Sequence, residues 1–452
     1  MYFEQFYLGC LSQASYMLGS EGVAAVVDPR RDVGVYLEEA AKRGLQIRYV
    51  IETHLHADFV SGHCELAALT GATICFGARA EASFPHLVLR DGEELTFGRC
   101  RLKCIETPGH SLDSISILVT DLDRSPEPLA VLTGDTLFIG DVGRPDLSKG
   151  KSAAEMASLL YSSLHRKLLR LPDGVEVYPA HGAGSLCGKQ MGLERSSTIG
   201  RERATNYALR PTSEAEFVRL ITTDLPERPG YFALDKELNR AGAGTLGELA
   251  EPPALSPAQV LAAQQAGAVV LDTRPTEEFA RAHVPGSVQI GLSGQFAAWA
   301  GDLVGLRSSL ILVTEQLAEA RLRLARVGIE AVIGYLEGGM AGWERAGLPI
   351  EAMTMISAEE LRGRLGSVQV VDTRRPDEWQ AGHIEGAKLI PLHELAARAG
   401  EVDKDVPVAV YCAGGYRSTI AASLLEKAGC TQVLDLAGGY DAWLATAAGM
   451  PN

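Results

Sequence analysis

Thr53-His54-Leu55-His56-Ala57-Asp58-Phe59 follows directly on Arg48-Tyr49-Val50-Ile51-Glu52. The earlier run is apolar and short, which predicts a strand. The H-x-H-x-D cluster then sits at a strand end, where alternating imidazole and carboxylate groups point into one small volume. Three further groups of the same chemistry close apolar runs later in the chain. His110 ends Thr107-Pro108-Gly109-His110, Asp135 ends Leu132-Thr133-Gly134-Asp135, and His181 stands in Tyr178-Pro179-Ala180-His181-Gly182. Strand-end acids and imidazoles in tight turns are ligand chemistry rather than core packing.

The chain has 452 residues, a length that predicts about three domains. Its formal net charge is −15 with no basic block, which argues against a nucleic-acid partner. No stretch approaches the roughly 20 apolar residues that span a bilayer, so no membrane partner is expected. No Lys or Arg precedes Arg30 and an acid stands at Glu4, so the N-terminus does not read as a signal peptide. Eight irregularly spaced cysteines do not form a disulfide framework. The expectation is a cytoplasmic protein whose individual thiols can react, and a homo-oligomer.

Gln13–Leu18 and Val23–Val27 predict strands, with Asp28-Pro29-Arg30 as the turn after the second. Helices are expected over Val33–Arg43 and Ala153–Arg170. Residues 190–241 read as mostly helical, broken at Pro211, Pro226 and Pro229. Gly242–Pro257, rich in Gly, Ala and Pro, is the expected linker.

Beyond that linker lies an internal repeat. Asp272-Thr273-Arg274 recurs as Asp372-Thr373-Arg374. His283, Gly286, Gly338, Gly339 and Trp343 recur as His383, Gly386, Gly438, Gly439 and Trp443. Each copy opens on a helix signal, Ser256-Pro257 or Ser357-Ala358, and continues into a Val-rich strand. Alternating strands and helices imply two small α/β domains with parallel sheets. The expected domains are 1–242, 257–351 and 354–452.

On these motifs the first part of the chain resembles the metallo-β-lactamase superfamily. That resemblance implies an αββα sandwich with a metal at the rim between two sheets. The two-zinc hydrolases of the superfamily, such as glyoxalase II, end the first cluster in a third histidine. Here that position is Phe59, which cannot ligate, and this favours one metal. A site of His54, His110 and Asp135 is two imidazoles and one carboxylate, the facial-triad pattern of non-haem Fe(II) oxygenases. This pattern resembles the persulfide dioxygenases of the superfamily, as does Gly143-Arg144-Pro145-Asp146. The resemblance implies His54, His110 and Asp135 as ligands of one Fe(II) per chain, with zinc as a substitute. It makes His56, Asp58 and His181 groups that orient ligands or substrate, with His56 as a fourth ligand the alternative. Arg144 and Asp146 read as a structural ion pair. Cys187, in the small-residue loop after His181, is either a thiol that carries a persulfide near the metal or a packed cysteine.

The second repeat contains Tyr411-Cys412-Ala413-Gly414-Gly415-Tyr416-Arg417-Ser418, then an apolar helix. A cysteine on a loop into a helix N-terminus has its thiolate stabilised by backbone N–H groups and the helix dipole. Glycines let those N–H groups turn inward as an anion nest. Phosphotyrosine phosphatases place five residues between Cys and Arg, whereas here there are four. The shorter loop resembles the rhodanese family, which implies Cys412 as the catalytic thiol. Ala413, Gly414, Gly415, Tyr416 and Arg417 then form a cradle for a persulfide. The first repeat has Thr314-Glu315-Gln316-Leu317 at this place, with no Cys and no Gly. It is expected to be inactive and to serve as spacer, docking surface or oligomer contact.

Taken whole, the sequence resembles bacterial persulfide dioxygenase–rhodanese fusions of sulfide detoxification. The resemblance implies oxidation of a low-molecular-weight persulfide by O₂ to thiol and sulfite. It further implies sulfur transfer through Cys412 that makes thiosulfate. Two alternatives stand beside this reading: a zinc-dependent, glyoxalase II-like thioesterase fused to a sulfurtransferase, and a non-catalytic sulfur carrier.

Overall fold

The computed structural model describes residues 1–210, 213–225 and 227–448. Pro211 and Pro226, two of the expected helix breaks, and the end of the last expected domain lie outside the described residues. The chain divides into two compact units. One is Met1–Leu249 with the short segment Ala325–Gly328; the other is Ala250–Leu324 with the chain from Ile329 onward.

The first unit is built on two six-stranded sheets. One runs Tyr2–Leu8, Gln13–Ser20, Val23–Val27, Gln46–Ile51, Thr73–Gly77 and Leu87–Leu89 in order of hydrogen-bonded neighbours. The other runs Ser197–Thr198, Glu176–Pro179, Ala130–Gly134, Ile115–Asp121, Cys100–Glu106 and Glu94–Phe97. Side chains alternate across a strand, and here both faces are buried. Tyr16 and Leu18 meet Leu102, Ile117 and Leu132 between the sheets. Met17 and Val26 turn the other way, onto Tyr36, Ala40 and Leu66. On the far side Val131 and Val177 pack on Leu160, Leu164 and Phe217. The layers are helix, sheet, sheet, helix, as the resemblance implied. The expected helices run Gly34–Arg43 and Ala153–Arg166, the latter opened by a Ser152/Glu155 capping box. Between residues 190 and 241 the helices are Ile199–Thr205, Glu214–Thr222 and Phe232–Ala241.

The second unit holds two five-stranded sheets of the same order. The first runs Ala254–Leu255, Val332–Leu336, Leu310–Val313, Val269–Asp272, Val288–Gln289, and the second Thr354–Ile356, Val433–Leu436, Val408–Tyr411, Gln369–Asp372, Lys388–Leu389. Every pairing is parallel. Ser256 and Ser357 cap the helices that follow the first strand of each copy. The expected linker is not free chain. Gly244 accepts from Arg31 Nη2 (3.0 Å) and the Leu246 N–H donates to Glu65 Oε2 (2.9 Å). Ala254–Leu255 is already a strand of the second unit, ahead of residue 257.

Candidate metal centre and sulfur cradle

The four motifs of the first unit follow one strand of the first sheet and three of the second, and their side chains meet. One ligand atom each from His54, His110 and Asp135 lies within 4.8 Å of the others, all three buried. His110 Nε2 is 3.5 Å and His54 Nε2 3.9 Å from Asp135 Oδ2. The other ring nitrogens are engaged behind the site. His110 Nδ1–H donates to the Arg144 carbonyl (3.0 Å). His54 Nδ1 bonds Thr53 Oγ1 (3.1 Å), which donates in turn to Asp28 Oδ2 (2.9 Å). These partners fix the tautomer that leaves both Nε2 atoms free. Burial, followed for His54 by the neighbouring imidazoles, holds both histidines below the usual imidazole range. They are therefore neutral, as ligation requires.

Both carboxylate oxygens of Asp135 and both ring nitrogens of His181 are buried without a hydrogen bond. Such orphaned polar atoms are costly, and a metal ion held by His54, His110 and Asp135 would give the Asp135 oxygens a partner. The donor set fits a metal centre. Two glycines permit the approach. A Cβ on Gly143 would stand 1.9 Å from the Asp135 carbonyl oxygen, and one on Gly134 2.6 Å from Thr53 Oγ1. Gly134 also has φ +51°, a left-handed backbone that favours glycine.

The remaining residues singled out in the sequence surround this set. His181 Nε2 lies 3.3 Å from Asp58 Oδ2 and 3.7 Å from Asp135 Oδ1. His56, Asp58 and His181 form a second group with ligand atoms within 4.8 Å, and Asp135, His181 and Cys187 a third. Cys187 is thus brought against the centre. Its burial, then the charges of Asp58 and Asp135, push the thiol well above its usual range. Phe59 is buried, with its ring 4.3 Å from that of His56. Arg144 pairs with both oxygens of Asp146 (2.7 and 2.8 Å) and donates to the Leu186 carbonyl (3.1 Å). The pair ties the Gly143 turn to the loop that carries Cys187.

Several groups here were not legible in the motifs. His56 Nε2 faces Asp28 Oδ1 (3.2 Å) and Glu52 Oε2 (3.3 Å). Burial would depress His56, but the two carboxylates outweigh it and raise the imidazole well above its usual range. Asp28 was read only as the start of a turn. Its φ of 51° swings the carboxylate onto the Thr53 N–H (2.7 Å), and an Asp-Pro pair after a strand was the one available signal. Asn239, on the helix Phe232–Ala241, is also buried. It donates to the carbonyls of His56 (2.9 Å) and Phe59 (2.8 Å) and accepts from the Ser61 N–H (2.8 Å). Asp113 Oδ2 accepts from the Leu55 N–H (2.7 Å), with Lys236 Nζ 3.6 Å from its other oxygen.

In the second unit Cys412 follows the buried strand Val408–Tyr411 and is itself buried. Gly415, with φ 105°, caps the helix Tyr416–Lys427, and its N–H donates to Cys412 Sγ (3.1 Å). The thiol lies 3.7 Å from Ser418 Oγ, which donates to the Gly415 carbonyl (3.0 Å). The loop's own carbonyls turn outward. Cys412 O accepts from the Tyr440 N–H (2.7 Å) and Ala413 O from the Asp441 N–H (3.1 Å). Gly439 allows this contact, since a Cβ there would stand 2.4 Å from both carbonyl oxygens. Arg417 is bound by both oxygens of Glu378. In the first copy the corresponding loop closes on itself, Gln316 N–H donating to Thr314 Oγ1 (3.1 Å), with no thiol to hold.

A four-layer sandwich with buried His and Asp at its strand ends defines a metal-binding class of protein, here joined to two parallel-sheet α/β domains. Comparison with known proteins agrees. The metallo-β-lactamase superfamily pattern matches residues 8–181, and the rhodanese-like domain pattern matches residues 256–346 and 357–446. The chain belongs to the metallo-β-lactamase superfamily and carries two rhodanese-like domains behind the metallo-β-lactamase domain. A metallo-β-lactamase crystal structure from Staphylococcus aureus is 31% identical with a TM-score of 0.68, over 74% of this chain and 98% of that one. Human mitochondrial persulfide dioxygenase ETHE1 is 29% identical over 210 residues, 46% of this chain and 75% of that protein. Hydroxyacylglutathione hydrolase from Brucella anthropi is 32% identical over 207 residues, 45% of this chain and 70% of that protein.

Proposed function

We propose that this chain is a persulfide dioxygenase joined to a sulfurtransferase, and that it disposes of sulfide sulfur held on a small thiol. The observation that carries the reading is the convergence of the His54 and His110 Nε2 atoms on the buried carboxylate of Asp135, with Phe59 beside His56. In this reading His54, His110 and Asp135 hold one Fe(II), for which zinc can substitute. Fe(II), when bound, supplies adjacent open positions and electrons for dioxygen chemistry. His56 is held by Asp28 and Glu52 and serves as a group behind the centre rather than a ligand. Asp58 and His181 line the side nearer Cys187 and orient the substrate.

The first reaction balances as one persulfide, one O₂ and one water giving thiol, sulfite and two protons. The sulfane sulfur is oxidised by four electrons and O₂ is reduced. In the second reaction the Cys412 thiolate takes sulfane sulfur from a persulfide and releases the thiol. The outer sulfur of the Cys412 persulfide is then attacked by sulfite, which breaks the S–S bond, forms thiosulfate and returns the thiolate. Gly415 N–H and the helix N-terminus stabilise the negative sulfur through both steps. The domains proposed for these roles are 1–242, 257–351 and 354–452, the second without a nucleophile. Eight unpaired cysteines agree with a reducing compartment, so a cytoplasmic setting belongs to the proposal, as does assembly into a homo-oligomer.

A second reading, a zinc thioesterase, is favoured by one observation: His56, Asp58 and His181 also gather as a second donor group. The hydroxyacylglutathione hydrolase relatives point the same way. Oxygen uptake by iron-loaded protein with a panel of low-molecular-weight persulfides, run beside metal counting and thioester hydrolysis, separates the two. Persulfide-dependent uptake with about one iron per chain supports the dioxygenase; two zinc ions with thioester turnover and no uptake support the hydrolase.

A further inference from the structure

The fourth residue of the Cys412 loop turns away from the sulfur and onto the middle domain. Tyr416 donates its hydroxyl to the carbonyl of Gly291 (2.9 Å). Its ring faces Gly294, where a Cβ would come within 3.5–3.7 Å of three ring atoms. The Gly291–Gly294 segment is itself held, since Arg323 donates to the Leu292 carbonyl and pairs with Glu319. Further along the same helix, Thr419 Oγ1 is 3.2 Å from Thr276 Oγ1. Ser423 Oγ accepts from the Gln289 N–H (3.0 Å), and Glu426 lies 3.5 Å from His283 Nε2. One face of the cysteine-loop helix is thus seated on the domain that has no cysteine.

We propose that Tyr416 is a positioning residue through which the middle domain sets the sulfur cradle. The proposal rests on the reading of Cys412 as the sulfur carrier and assigns the inactive repeat its part in that chemistry. The Gly415 N–H that meets Cys412 Sγ at 3.1 Å belongs to the residue directly before Tyr416 in the chain. A hydrogen bond weakens steeply with distance and angle, so a Tyr416 released from Gly291 and Gly294 lets this donor drift from the sulfur.

The test uses the full chain and two readouts. One is the rate at which iodoacetamide modifies Cys412, followed on its own peptide by mass spectrometry; the other is kcat and KM for sulfur transfer from thiosulfate. Tyr416→Ala, and on the other domain Gly294→Leu, whose side chain beyond an ordinary Cβ contact would push into the ring, are each expected to slow modification at neutral pH by about fivefold or more, the scale of one lost hydrogen bond. Both are expected to lower kcat while KM for thiosulfate stays within about twofold. Tyr416→Phe keeps the ring on Gly294 and is expected to recover most of the rate. Gly305→Ala is the control. It also places a side chain at a left-handed position of the middle domain, φ +83°, but with nothing within 4 Å, and is expected to match wild type. The proposal is overturned if Tyr416→Ala stays within about twofold of wild type, if its modification rate rises, or if Gly305→Ala is as harmful as Gly294→Leu. A wild-type chain that transfers no sulfur while the modification pattern holds overturns the sulfur-carrier reading and leaves the positioning role supported.

Discussion

Arg417 gives Nη1 to Oε2 and Nη2 to Oε1 of Glu378, each at 2.7 Å. The guanidinium of the Cys412 loop is therefore bound by a carboxylate on the helix Pro376–Gln380, with both side chains about one-fifth exposed. A bidentate pair of this kind fixes orientation as well as charge. Arg417 serves the loop as a fixed brace, and an arriving anion meets a guanidinium whose direction is already set.

Glu378→Gln removes the charge and one of the two acceptors. Burial acts to raise the Glu378 carboxyl, but the Arg417 hydrogen bond, the Arg375 N–H and the charges of both arginines together outweigh it and hold the group down at about 2, against an ordinary 4.5. A depressed folded value means that the stabilisation is full above about 4.5 and fades as pH falls through about 2. The expected loss in the variant is about 1 kcal/mol after allowance for partial exposure. Urea midpoints of wild type and variant are expected to differ by a constant amount from pH 5 to 8 and to converge below about pH 4. A gap that widens in acid would contradict the assignment.

Removing His110 tests the metal centre. His110→Ala is expected to abolish iron retention and O₂ uptake together, since it leaves two of the three proposed ligands, His54 and Asp135. Sulfur transfer from thiosulfate at Cys412 is expected to persist. Elemental analysis after desalting, beside an oxygen electrode, reads both effects. His56→Ala distinguishes ligand from supporting group, with iron retained and turnover reduced as the expected outcome.

Cys412→Ser separates the two chemistries. The variant given an organic persulfide and O₂ is expected to consume oxygen at near wild-type rate and to release sulfite. The intact chain is expected to release mainly thiosulfate. Thiol-trapping chromatography quantifies both products. Oxygen uptake that falls in step with thiosulfate would mean that persulfide is loaded on Cys412 before it is oxidised.

Asn239→Leu keeps much of the side-chain volume and removes three hydrogen bonds to the 56–61 segment. Each buried backbone group left unpaired costs about 1–3 kcal/mol, so with three groups the expected loss of stability is at least about 3 kcal/mol. Metal retention is expected to weaken although no ligand is touched. Iron content that stays at the wild-type level in a clearly destabilised variant would show that the centre tolerates a loose loop.

The motifs carried the sandwich and the repeat because both are written locally. A strand that ends in His54 or Asp135 announces itself by an apolar run and a turn, and Cys412 by glycines before a helix. Other partners are set by register and by distance along the chain. Asp28 reaches Thr53 because Val27 pairs with Ile51 across two parallel strands, and no local pattern holds that fact. Ala254–Leu255 is too short to show any periodicity. Asn239 arrives from a helix more than 170 residues beyond the loop it binds. The contact of Tyr416 with Gly291 joins two copies of a repeat, and a repeat read from sequence shows likeness without showing which faces touch.

The Cys412 and Ala413 carbonyls are held by N–H groups of Tyr440 and Asp441, which come late in the chain. During synthesis the strand, the cysteine and the helix behind it emerge first, and the loop cannot take its final shape until residues 439–441 follow. The metal-binding unit is translated long before that moment. A nascent chain thus holds the Cys412 loop in an unfinished setting until residues 439–441 are made, and ribosomes stalled short of Gly439 would carry a loop whose Cys412 and Ala413 carbonyls lack these partners.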